Sequence, residues 1–211
     1  MIPPRNLLTE DGYDLQWGTN VIGHFFFTHL LLPALIAGKE TSPDGHTRIV
    51  TTSSMAAYMS VIHWDSFRDG PARKKLSLDT LYAQSKLRNS LSSIMNRQIS
   101  YLQDSLLSDT QIRAFSRLLA ILSTSGITGN LKTELNRHLP SIARAIMNLV
   151  LYPASNGALT QLWAGTMPET IEYNGQFLIP WARVGRCREE GYDPALGEKL
   201  WDYLMEEIKD K

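Results

Sequence analysis

Arg48-Ile49-Val50-Thr51-Thr52-Ser53 is a short apolar and β-branched run, preceded by the turn chemistry of Ser42-Pro43-Asp44-Gly45. Branching at Cβ favours extended backbone, and such a run bounded by turn residues reads as a buried strand. Both flanks read as helix. Upstream, Leu15 to about Ile36 is apolar nearly all round, so it is expected to lie between other elements. Thr9 or Asp11 is the expected cap of that helix, and Pro33 is expected to bend or end it. Downstream, Leu78 to about Leu107 is helical in pattern, with Asp79 or Ser77 as its cap. Strand between helices points to an α/β layer fold with a parallel sheet.

Further out, Ile2 to Asp14 is loop-like, with Pro3-Pro4 and Asp11-Gly12 as turn residues. Met55 to Ser77 is a long connection of the kind that often serves as a lid or binding loop. Its Arg73-Lys74-Lys75 cluster is expected on a solvated loop surface. Leu118 to Leu122 reads equally as buried strand or helix, because a short apolar run does not decide between them. Gly126 to Asn130 is turn-like, and Pro140 to Leu151 and Ala154 to Ala164 look helical. Gly175 to Pro180 reads as a last strand, and Pro194 to Lys209 as an amphipathic helix.

Composition narrows the function classes. The chain has 211 residues, with 21 basic and 21 acidic side chains that cancel. Neither nucleic acid nor an anionic membrane surface would be attracted by overall charge. Hydrophobic residues at 43% and charged residues at 20% fit one ordinary globular domain. A single cysteine, Cys187, excludes an internal disulfide and a multi-cysteine zinc site, and the five histidines have no zinc-ligand spacing. Val21 to Ala37 is strongly apolar but is broken by His24, His29 and Pro33, so a core helix is expected rather than a membrane span. With no signal pattern in Met1 to Glu10, the expected location is cytoplasmic.

The chemistry-bearing stretch is Tyr82-Ala83-Gln84-Ser85-Lys86. Positions i and i+4 of a helix share a face, so the phenol and the ammonium project side by side. A free phenol ionises at a pKa of about 10, and a neighbouring cation favours its charged form. The pair suits proton transfer to or from an alcohol or carbonyl oxygen. Ser53-Ser54 closes the strand, at the end where open α/β sheets bind ligands. Asn20 lies inside the apolar first helix, where its amide needs a partner: backbone, or a water near the site.

Taken in order, Asn20, Ser54, Tyr82 and Lys86 resemble the catalytic tetrad of the short-chain dehydrogenases/reductases. The wording is most similar to the retinol-dehydrogenase-like and fungal reductase branches. LTEDGYDLQWGTNVIGHFFFTHLLLP, RIVTTSSMAAY, LYAQSKLRNSL, GNLKTEL and NGQFLIPWARVG carry the likeness. The resemblance implies a Rossmann-like, doubly wound parallel sheet, of which this chain would be the C-terminal portion. It implies NADP, with NAD the other candidate, exchanging hydride with a small ketone or secondary alcohol. Tyr82 would be the general acid/base and Ser54 would orient the carbonyl. Lys86 would act on Tyr82 and bind the nicotinamide ribose, and Asn20 would hold a relay water. Leu131 and Thr133 would contact the nicotinamide end. The helices near 15–36 and 78–107 would form a homodimer interface.

The likeness has gaps. No G-x-G-x-x-G occurs, and no two of the 14 glycines are two apart. The family's first three or so βα units, roughly 90 residues at about 30 per unit, would precede Met1. The strand near Ile49 is then expected to expose one edge, favouring poor solubility or self-association. Two rival expectations follow: a catalytically incompetent remnant, or a dimerising interaction module.

Overall fold

The computed structural model describes residues 3–88, 121–126, 131 and 151–211. Asp14 opens the first helical stretch, its carboxylate accepting from the backbone N–H groups of Gln16 and Trp17, both at 3.0 Å. The cap is therefore Asp14, not Thr9 or Asp11. Helix α1 (Leu15–Trp17) passes through a π turn (Gly18–Gly23) into α2 (His24–Gly38). Gly18 is required by a close approach, because a Cβ there would stand 2.4 Å from the Thr9 methyl. Pro33 does not end α2, which runs on to Gly38. Pro33 itself is exposed.

Four strands form one sheet in the order β1-β2-β3-β4. Strands β1 (Thr47–Thr52) and β2 (Ile121–Gly126) run parallel, in register from Thr47 opposite Ile121 to Thr52 opposite Gly126. Strand β3 (Phe177–Ile179) pairs parallel with β2, and β4 (Arg183–Gly185) returns antiparallel to β3. The ambiguous run near Leu118 thus enters a strand at Ile121. The β3–β4 hairpin was not expected. Its reversal runs through Trp181-Ala182, with Ala182 at φ 52°.

Among the described residues β1 is an edge strand, and α2 packs on it. Expected burial of α2 all round does not hold. Phe25 and Leu32 are buried, whereas Phe27 and Leu30 are 60% and 59% exposed. A helix over a sheet edge covers only the face it touches. By length and composition the stretch Leu15–Thr41 would reach across a bilayer. Within the fold 17% of its apolar window is buried, and Phe25 meets Trp201 edge to face at 5.4 Å.

Helix α3 (Pro71–Lys75) interrupts the long connection after β1. Helix α4 (Leu78–Arg88) follows, capped by Ser77, whose Oγ accepts from Thr80 N–H at 3.0 Å. The expected continuation of α4 to Leu107 and the expected helix at Pro140 to Leu151 lie outside the described residues. Helix α5 (Leu159–Thr166) packs on β1 and β2. Helix α6 (Pro194–Ile208) buries Leu200, Trp201, Leu204 and Ile208 along one stripe, as its amphipathic pattern requires.

Aromatic packing joins these layers. Trp17 stacks on Phe67 with ring centroids 3.7 Å apart and planes within 7°. Phe67 in turn meets Tyr203 of α6 at 5.1 Å. Tyr13 donates to the Glu207 carboxylate, and Arg68 Nη2 donates to the Tyr13 hydroxyl at 2.6 Å and to Glu207 at 2.8 Å. Burial first, and then the Glu207 carboxylate, hold the Tyr13 phenol above its ordinary pKa. Asp193 caps α6 by accepting from Ala195 N–H at 2.9 Å. Asp193→Ala is expected to destabilise the fold by about 1 kcal/mol, read as a lower urea midpoint at unchanged slope. An unchanged midpoint would show that α6 does not depend on this cap.

Candidate active site

The site grows from the C-terminal end of β1. There the backbone leaves the sheet, and Ser53 and Ser54 take different partners. Ser53 is buried and donates from Oγ to the Lys86 carbonyl at 2.9 Å. Ser54 is partly exposed and caps the 3-10 turn Met55–Tyr58, its Oγ accepting from Ala56 N–H at 3.2 Å. That turn packs against α4.

Helix α4 is buried at every position from Leu81 to Arg88, although its sequence is largely polar. Burial of that kind is tolerated only where polar groups find partners. Gln84 accepts from His63 N–H at 3.0 Å and donates to Ser66 Oγ at 3.0 Å, tying α4 to the loop that follows Ser54. Ser85 donates to the Tyr82 carbonyl at 2.7 Å. Asn20, in the π turn, donates from Nδ2 to Ser85 Oγ at 3.0 Å. The amide's partner is therefore a side chain of α4.

Tyr82 and Lys86 lie on one face of α4, with Lys86 Nζ 5.8 Å from the Tyr82 ring centroid. Lys86 Nζ also donates to the Thr52 carbonyl at the end of β1, at 3.3 Å. Burial pushes the Lys86 ammonium below the ordinary lysine pKa. Asn20 is tied to α4 through Ser85, Lys86 reaches the end of β1, and the turn that Ser54 caps packs against α4. A phenol beside an ammonium can exchange a proton with a bound oxygen.

Leu131 pairs in a parallel bridge with Tyr152 and packs over Gly157, where a Cβ would come within 2.3 Å of Leu131 Cδ1. Thr133 lies outside the described residues. Among the described residues no group of acidic, histidine and cysteine side chains could hold a metal ion.

Arg73 corrects the reading of its cluster. Lys74 and Lys75 are exposed, but Arg73 is 2% exposed and donates from Nε to Asp14 Oδ2 at 2.9 Å, itself 2% exposed. The same carboxylate that caps α1 therefore anchors the loop between Ser54 and Tyr82. Sequence reasoning missed this pair and the roles of Ser53, Gln84 and Ser85.

No family model matches the chain. A short-chain dehydrogenase/reductase of Armillaria gallica is 44% identical over 210 residues, which is 100% of this chain and 62% of that protein. Retinol dehydrogenase 14 of Homo sapiens is 29% identical over 92% of this chain and 52% of its own length. A crystal structure of an uncharacterized protein from Mycobacterium paratuberculosis matches with a TM-score of 0.60 at 28% identity. It is covered to 63%, against 99% of this chain. The chain thus spans 62% of the Armillaria relative.

Proposed function

The chain belongs to the short-chain dehydrogenase/reductase family, and from that premise we propose that it carries the proton-transfer half of an NAD(P)-dependent oxidoreductase. The reaction is the interconversion of a ketone and a secondary alcohol, with NADPH-dependent reduction the favoured direction. The observation that carries the reading is the placement of Tyr82 and Lys86 on one face of α4, beside the strand end that bears Ser54.

The residues present fit the nicotinamide-ribose end of such a cofactor. Lys86 brings ammonium donors to the strand end, and Tyr82 lies beside it. When bound, the cofactor supplies the hydride, which no side chain can. Ser54 Oγ hydrogen-bonds the substrate oxygen and fixes its direction. Tyr82 gives its hydroxyl proton to that oxygen in reduction and takes one back in oxidation. Lys86 keeps positive charge beside the phenol as negative charge develops there. Asn20 holds Ser85, and through it the Tyr82 turn.

Calorimetric titration with NADPH, followed by loss of NADPH absorbance with a panel of ketones, tests the proposal. Saturable binding and turnover are expected. Absence of both would remove the enzymatic reading. It would leave the second one, an interaction module, which the exposed Phe27 and Leu30 on α2 favour. Ser54→Ala is expected to lower kcat by about 10²-fold, with NADPH affinity kept. Unchanged kcat would take Ser54 out of the site.

A further inference from the structure

The π turn leaves one contact that the proposed chemistry does not use. His24, the first residue of α2, sends its backbone N–H to the Val21 carbonyl. Its ring Nδ1 lies 3.0 Å from the carbonyl oxygen of Asn20. A carbonyl oxygen only accepts, so Nδ1 must carry the hydrogen. The neutral ring is then the Nδ1–H tautomer, with Nε2 left as an acceptor. Protonation at Nε2 would not break the contact, since both ring nitrogens of an imidazolium donate. The next turn braces His24 as well, Thr28 Oγ1 donating to its carbonyl at 2.8 Å.

The ring therefore sits at one end of a line of hydrogen bonds joined through the covalent frame of Asn20. From His24 it passes to the Asn20 carbonyl, from the Asn20 amide to Ser85, and from Ser85 to the Tyr82 carbonyl. Its other side is exposed and lines a cavity of about 330 Å³ together with Thr51 and Thr52. The Thr52 carbonyl accepts from Lys86 Nζ. His24 thus bonds the turn that carries Asn20, and it shares a cavity lining with the end of β1.

We infer that His24 is a positioning residue for the Tyr82–Lys86 pair. Its Nδ1–H bond holds the Asn20 carbonyl and with it the π turn, so that the Asn20 amide stays on Ser85. This rests on the proposed function for its kinetic consequence, but not for its structural one. An asparagine at position 24 keeps a donor close to the place of Nδ1, whereas a leucine does not.

Nitrogen-detected NMR of the imidazole ring and of the Asn20 side-chain amide tests the structural part, without cofactor. In the wild-type chain His24 is expected as the Nδ1–H tautomer. His24→Leu is expected to shift the Asn20 amide resonances, and His24→Asn to restore them. An Nε2–H tautomer, or Asn20 resonances unmoved by leucine, would overturn the inference. Kinetically, His24→Leu is expected to lower kcat about tenfold, with the ketone KM and NADPH affinity unchanged, the size of one lost hydrogen bond. His24→Asn is expected to recover most of that loss. Wild-type kcat in His24→Leu would also overturn the inference. Absence of turnover in the wild-type chain would count against the enzymatic reading instead, and the NMR result would still decide the role of His24.

Discussion

Tyr82→Phe is expected to lower kcat for ketone reduction by about 10²–10⁴-fold, the contribution of a positioned general acid. The substitution removes one oxygen and leaves the ring, so packing changes little at a side chain that is 9% exposed. NADPH affinity is expected to stay within a few-fold, because Lys86 keeps its bond to the Thr52 carbonyl. The ratio of turnover to binding is the informative quantity. Loss of both together would mean that the phenol is structural, and kcat retained in the phenylalanine variant would transfer the proton to another group.

The second large effect concerns stability. Arg73→Met leaves the Asp14 carboxylate buried without its guanidinium partner, while that carboxylate still caps α1. Breaking a buried ion pair from one side costs about 3–5 kcal/mol, several times the worth of a surface pair. Denaturant unfolding of Arg73→Met should show that loss. Arg73→Met combined with Asp14→Asn should recover part of it, since asparagine caps a helix without an uncompensated charge. A double-variant loss equal to the sum of the Arg73→Met and Asp14→Asn losses would show that the two residues are not coupled. Lys74→Met is the control. Its Nζ reaches only the exposed Asp69, at 3.3 Å, so little change is expected.

The two predictions also mark what the sequence could and could not disclose. The strand at Arg48 to Ser53 was readable because β-branched residues and turn chemistry act locally, and it appears shifted by one residue, as Thr47–Thr52. The Tyr82–Lys86 face was readable because helical spacing alone decides it, and the 5.8 Å approach of ammonium to ring agrees. The buried stripe of α6 followed for the same reason. Asp14–Arg73 was not readable, because the partners are 59 positions apart and only the folded loop brings them together. Local composition pointed the other way, three adjacent cations being an ordinary solvated surface. Gln84 is a similar case. Its position between Tyr82 and Lys86 gave no sign that it would face a different neighbour, the loop at His63 and Ser66.

The fold explains why those unread residues bear on the site. Ser54 and Tyr82 are separated by a connection that would hold no fixed geometry by itself. Several contacts pin it, including three anchors. Arg73 binds Asp14, Gln84 binds the His63–Ser66 turn, and Phe67 stacks on Trp17. Each anchor returns to α4 or to the helical stretch that carries Asn20. The loop after the strand and the two helices around it therefore behave as one unit, so a change at Arg73 is expected to reach the chemistry only through loss of the fold.

Isotope transfer tests the central claim most directly. The chain is incubated with a ketone and with NADPH deuterated at the hydride position of the nicotinamide ring, and the product alcohol is examined by NMR. Deuterium on the carbinol carbon is expected with the wild-type chain, and only a trace with Tyr82→Phe. A folded wild-type chain that transfers no deuterium, or a phenylalanine variant that transfers as much, would contradict the account.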